Sequence, residues 1–198
     1  MDTSPHDRSI RPPHPLAVEL AGRLRGIPQA RVLDYCTGSG RNVIWLERAG
    51  LAVATVSDDE APAFDRTDPH PSFDGIVTSH GLLHGTATAM PGRVERLARR
   101  LRPGGWMCAT FGSTADERFG VGDRLDDATF APRDGDEIGV SHAYFDESRL
   151  RAILDPYFDV AVLDRQDASQ TAGRWAHSQP LTGAVHWFFV GSVRERER

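Results

Sequence analysis

The stretch Arg31-Val-Leu-Asp-Tyr-Cys-Thr-Gly-Ser-Gly-Arg-Asn42 decides the fold. Val32 to Tyr35 reads as a short buried strand. Gly38 and Gly40 then form a tight turn, and a helix follows with Val43, Ile44, Trp45 and Leu46 on or near one face and Gly50 closing it. In open α/β sheets, ligands bind beyond the carboxyl ends of the strands, which is where this turn lies. Two glycines let a ligand approach the backbone closely, and the helix start offers free N–H groups to an anion.

Outward from this unit, strands and helices alternate. Leu16, Leu20 and Leu24 mark a helix before it, ended by Gly26 and Pro28. "LAVATV" (51–56) is a continuous apolar run, the pattern of a strand covered on both faces. "FDGIVTSH" (73–80) and "WMCATFG" (106–112) are further strands, separated by the amphipathic helix "RVERLARRL" (93–101) and the turn Pro103-Gly104-Gly105. Residues 112–141 read as a long loop with eight acids and three arginines, a lid over a pocket or a solvated surface. A helix over 146–154 has Asp146 as its N-cap. "FDVAVLD" (158–164) and "AVHWFFVG" (184–191) follow with no clear helix between them and pair as an antiparallel edge hairpin. The fold expected is doubly wound α/β with a mostly parallel, Rossmann-like sheet of the seven-stranded type, short by one helix or strand. Residues 1–15 are expected to be a flexible arm, 16–192 one domain and 193–198 a charged tail.

Charge and composition exclude several classes. The net charge of −5 argues against broad contact with nucleic acid. No apolar run is long enough to span a bilayer and the N-terminus lacks a signal-peptide pattern, so a cytoplasmic protein is expected. The chain has no lysine, which rules out Schiff-base chemistry and a P-loop. A nicotinamide fingerprint from Gly38 needs glycine at 43, where Val43 stands. "TGSGRN" is no GxSxG elbow. Cys36 and Cys108 read as buried free thiols. His80 and His84 are four apart, but His142, His177 and His186 are scattered with no HExxH, so no metal is expected.

Asp34, Cys36, Gly38 and Gly40 resemble the first motif of class I S-adenosylmethionine-dependent methyltransferases. "SFDGIVTSHGLLH" (72–84) is similar to that family's fourth strand and active-site loop. "RLARRLRPGGWMCATFG" (96–112) is similar to its helix, Pro-Gly-Gly turn and fifth strand. The later segments resemble the small-molecule branch near the tellurite- and thiopurine-type enzymes. The resemblance implies S-adenosylmethionine as cofactor and in-line methyl transfer to a small-molecule acceptor. It places Asp34 near the methionine amino group, Gly38 and Gly40 under the cofactor, Asn42 at its carboxylate, and His80 near the methyl end. Cys36 stands where the family has its first glycine. The family's ribose-binding acid falls on Ser57, or on Asp58 if the strand ends one residue later.

Between Val56 and Phe73 the family fits a helix and a third strand, whereas here "SDDEAPAFDRTDPHPS" carries three prolines. "AFD" (63–65) is read as a remnant of that strand, with Asp65 facing the adenine amine. The thinned flank is expected to weaken adenine binding and to offer a homodimer contact. A proton acceptor is needed only if the methyl acceptor must lose a proton, and His80 and His142 are the catalytic candidates, since imidazole titrates near neutrality. His84, Tyr144 and Trp175 are the substrate-binding candidates. The (Asn/Asp)-Pro-Pro-(Tyr/Phe) signature of amino methylation is absent; "TSHG" stands there, which suits small molecules. The competing reading is a non-catalytic protein of the same fold, with a degenerate cofactor pocket and another ligand or a protein partner.

Overall fold

Alternate residues of each central strand point to opposite faces of one sheet, and both faces are covered. The computed structural model describes residues 12–38, 40–135, 137–167 and 183–194. Helix α1 (Pro15–Arg23) leads into strand β1 (Arg31–Tyr35), α2 (Arg41–Arg48), β2 (Ala52–Val56), the one-turn α3 (Ala61–Phe64) and β3 (Phe73–Thr78). Then come α4 (Met90–Arg100), β4 (Leu101–Ser113), β5 (Asp123–Arg124), β6 (Thr129–Ala131) and β7 (His142–Phe145). The chain closes with α5 (Glu147–Leu154), β8 (Phe158–Asp167) and β9 (Val185–Val193).

β2, β1, β3 and β4 lie side by side and parallel. β9 pairs antiparallel with β4, and β8 with β9, which makes the edge hairpin expected from sequence. Leu33, Ile76, Met107 and Phe189 belong to one buried cluster, under α4 and α5. Their neighbours Val32, Val77, Cys108 and Phe188 belong to a second, under α1 and α2. α1 seats directly on β3 at Gly75, where an added Cβ would lie 2.8 Å from Leu20 Cδ1. His14 caps this helix, its Nδ1 accepting from Leu16 N at 3.1 Å, and Pro15 takes the first helical position. Both cysteines are free and buried. Among the described residues no helix is long and apolar enough to cross a membrane.

Three local readings change. "LAVATV" is an edge strand: only Val56 of β2 is buried, because nothing pairs with its outer side among the described residues. "AFD" is no strand remnant, since Ala61–Phe64 coils into a helical turn, and Asp65 follows as its C-cap. Residues 112–141 are not one loop. β4 runs to Ser113, and β5 and β6 form a small antiparallel extension joined through β7. The Pro-Gly-Gly turn exists as an out-of-register excursion, since Phe73 pairs with Leu101 but Gly75 with Trp106.

Candidate functional site

At the end of β1 the chain must turn sharply into α2. It does so through three left-handed residues, Cys36 (φ 56°), Gly38 (φ 53°) and Gly40 (φ 70°). A Cβ at Gly38 would meet nothing within 4 Å, so the turn faces open space. At Gly81 a Cβ would lie 2.4 Å from Cys36 Cβ, so the loop after β3 presses against this turn. Cys36 carries a Cβ in a conformation that costs an ordinary residue about 1–2 kcal/mol. Cys36→Gly is therefore expected to leave stability within about 1 kcal/mol, strain relief offsetting the lost packing. A denaturant midpoint shift equivalent to more than about 3 kcal/mol would contradict this. Burial, and secondarily Asp58, push the Cys36 thiol up to about 12, so it stays protonated at neutral pH.

Asp34, only 1% exposed, sits beneath the turn. Its Oδ2 accepts from Thr37 Oγ1 at 2.8 Å, while its Oδ1 has no hydrogen-bond partner among the described residues. Asn42 Oδ1 accepts from His14 N at 2.9 Å. Asn42 Nδ2 also completes no hydrogen bond, although its nearness helps lower the Asp34 pKa. Burial outweighs Thr37, Asn42 and Arg41 and raises Asp34 to about 6. A buried carboxylate with one uncommitted oxygen, under an open glycine turn, fits the ammonium end of an amino acid.

From this turn a cavity of about 130 Å³ runs along the carboxyl edge of the sheet. Cys36, Gly38, Arg41 and Asp58 line one end, and His84, Glu137, His142 and Tyr144 the other, with His80 and His186 also in its wall. Ser57 stays out of the lining, and its N and Oγ both donate to Glu60 Oε2 at 2.9 Å. Asp65 is held elsewhere: both its oxygens accept from Tyr35 Oη at 3.0 Å, and Oδ2 lies 3.4 Å from Arg93 Nε. Asp34, Gly40 and Asn42 do not line the cavity themselves, and Thr37 links Asp34 to it. Trp175 is outside the described residues.

His80 follows β3 and stacks edge-on between His14 (6.3 Å) and His186 (5.9 Å). Burial is the main reason all three are held below the usual imidazole range, His14 at about 3, His186 at about 4 and His80 well down. His14, Arg41, Asp116 and His186 were not singled out from sequence, because only tertiary contacts bring them here. Asp116 accepts from Arg118 N and Val185 N at 2.8 and 2.9 Å and lies 3.9 Å from His186 Nε2. His186 faces Gly112 across the β4–β9 pairing, so its signal was the register of that hairpin.

His84 and His142, 58 positions apart, are joined by an isolated antiparallel bridge. Ala143 N donates to Leu83 O and Gly85 N to Ser141 O, each at 2.9 Å. The imidazole rings stand perpendicular with centroids 5.0 Å apart. Glu137 reaches both, its Oε2 lying 3.1 Å from His142 Nε2 and its Oε1 3.5 Å from His84 Nε2. Phe119, Phe130 and Tyr144 pack edge to face or tilted beside this end and make an aromatic wall.

Residues 11–157 match the model of a family described as a methyltransferase domain. The chain is similar in structure to 1,6-didemethyltoxoflavin-N1-methyltransferase of Burkholderia thailandensis, solved with 1,6-didemethyltoxoflavin and S-adenosylhomocysteine. That likeness has a TM-score of 0.63 and 19% identity, over 91% of this chain and 77% of that one. A SAM-dependent methyltransferase of Methanosarcina mazei matches with TM-score 0.63 and 15% identity, over 93% and 100% of the two chains. TehB of Haemophilus influenzae matches with TM-score 0.55 and 15% identity, over 90% and 62%. At these identities the likeness is one of fold. Over 112 residues the chain is also 39% identical to a probable bifunctional methylthioribose-1-phosphate isomerase/methylthioribulose-1-phosphate dehydratase of Nocardia farcinica. That match takes in 49% of this chain and spans 20% of the length of that relative.

Proposed function

The chain belongs to the methyltransferase-domain family, among the class I enzymes that use S-adenosylmethionine, and on that premise we propose that it methylates a small molecule held between the β1 turn and the His84–Glu137–His142 wall. S-adenosylmethionine supplies an electrophilic methyl group on a sulfonium, which an aligned nucleophile displaces in line. In this reading Asp34 Oδ1 takes the ammonium group of the methionine moiety and Arg41 its carboxylate. Asp58, at the end of β2, accepts from the ribose hydroxyls, a task that two carboxylate oxygens suit and a committed serine does not. Gly38 leaves room above the turn.

At the acceptor end, Leu83, Ala143 and Tyr144 provide apolar wall and His84, His142 and Glu137 the polar groups. We place the loss of the acceptor's proton at this polar end of the cavity rather than at His80, which burial makes a weak base. The observation that carries the reading is the continuity of the cavity from Gly38 to His142.

The test is incubation of the full chain with methyl-labelled S-adenosylmethionine and a panel of phenols, thiols and ring-nitrogen heterocycles. Label is expected in a low-mass product, and His142→Ala is expected to slow turnover by ~10²–10⁴-fold while the KM for the methyl donor holds. Label found only in added protein or nucleic acid would overturn the small-molecule assignment.

A further inference from the structure

We propose that His84, Glu137 and His142 form a binding site for one divalent transition-metal ion of the zinc class, at the acceptor end of the cavity. The convergence of three ligand atoms carries the argument. His142 Nδ1 lies 2.9 Å from Val140 O, which can only accept, so this nitrogen holds a hydrogen and Nε2 is the atom presented to Glu137. Nε2 lies 3.1 Å from Glu137 Oε2, where a shared cation, a proton or a metal ion, satisfies both atoms.

The spacing fits a metal ion. One nitrogen from each histidine and one oxygen from Glu137 all lie within 4.8 Å of one another. The carboxylate straddles the two imidazoles, Oε2 lying 3.1 Å from His142 Nε2 and Oε1 3.5 Å from His84 Nε2, close to the ~3.3 Å between neighbouring ligands of an ion with bonds of about 2.0 Å. Two imidazoles and one carboxylate select zinc-class ions over magnesium or calcium, which prefer all-oxygen sets. The outer contacts agree as well. Val140 O orients His142, and Asp58 Oδ1 lies 4.0 Å from His84 Nδ1, the side facing away from Glu137. The backbone bridge between residues 84 and 142 fixes the two rings before any ion arrives. Among the described residues three ligands converge, and His84 and Glu137 are each about one-third exposed, so a further position opens on the cavity. The linear order hid this site, since its ligands come from the loop after β3, the segment after β6 and the first residue of β7.

The role of the ion rests on the methyl-transfer reading; the binding site does not. A hydroxyl or thiol acceptor held at the fourth position loses its proton to solvent more readily. Its lone pair attacks the methyl carbon, the carbon–sulfur bond breaks, and the electron pair returns to sulfur as a neutral thioether.

The experiment uses the full chain, stripped with a chelator and titrated with Zn²⁺ by calorimetry and with Co²⁺ by visible absorption. One ion per chain is expected, with the intense d–d bands of four-coordinate cobalt. His84→Ala, Glu137→Gln and His142→Ala are each expected to weaken Zn²⁺ binding by ~100-fold or more, beyond the ~10–100-fold effect of losing an outer-shell partner. Retained S-adenosylhomocysteine affinity in these variants shows that they are folded. Absence of binding at micromolar ion, or an affinity that survives all three substitutions, would overturn the site. Methyl transfer undiminished in chelator would overturn the ion's role alone. An ion bound normally by a chain that never binds S-adenosylhomocysteine would overturn the methyl-transfer reading and leave the metal site standing.

Discussion

Asp34→Asn is expected to weaken S-adenosylhomocysteine binding at least ~100-fold while making the ligand-free protein more stable. Both effects follow from one buried oxygen. Asp34 Oδ1 has no hydrogen-bond partner among the described residues, and burial raises the group to about 6, above the ordinary 3.8. A folded-state pKa raised this way opposes folding once the pH passes the unfolded value, and the full cost is present above the folded value. At pH 7 that cost is about 3 kcal/mol, so the neutral isostere should recover about 1–3 kcal/mol, allowing for relaxation around the site. A ligand ammonium group would satisfy the same oxygen, and the amide cannot replace its charge. Calorimetry and denaturant melts of the two proteins separate these arms. For the wild-type protein, affinity should also fall about tenfold between pH 7 and pH 5 as Asp34 protonates. Unchanged affinity in Asp34→Asn would refute the placement of the amino-acid end.

Acid should unfold the ligand-free protein through its buried imidazoles. His14 and His186 sit at about 3 and 4 in the fold, against 6.5 when free. Groups lowered in this way take up protons preferentially in the unfolded chain, so their contribution is full above pH 6.5 and lost as the pH falls towards 4. From pH 7 to pH 4.5 the two together cost about 5 kcal/mol, Asp34 returns about 2, and the net loss is about 3 kcal/mol. His80 is lowered too, and its neighbours His14, His186, His84 and Arg41 all disfavour its protonation, so it adds to the loss. Asp116, and less strongly Glu137, oppose the lowering at His186, while Arg118 and His142 add to it. Urea unfolding of chelator-treated protein at both pH values measures the loss, and His186→Gln should flatten the profile. A flat wild-type profile would show that these rings are not buried as a neutral cluster.

The parallel sheet was legible because its strands are covered on both faces. Val32-Leu33, Ile76-Val77 and Met107-Cys108 each supply one residue to either core cluster, so they read as unbroken apolar runs. The same logic misread β2, where small apolar residues give an apolar run although the outer side has no covering partner among the described residues. β5 and β6 escaped notice because strands of two and three residues carry no periodicity. For the candidate site, the contiguous half was legible: Cys36 and Gly38 line one end of the cavity, and Asp34 bonds Thr37 of the same turn. The acceptor half was not, because it depends on non-local pairing. A bridge between residues 84 and 142 aligns two rings, and the β4–β9 register brings His186 to the cavity. The missing strand after β2 was legible as a shortage of chain, but the commitment of Asp65 to Tyr35 and Arg93 was not.

The most direct test is a calorimetric titration of the chain with S-adenosylhomocysteine and S-adenosylmethionine at pH 7.5. Binding of one ligand per chain at micromolar concentration is the expected result, and no heat at millimolar ligand would contradict a working methyl-donor site.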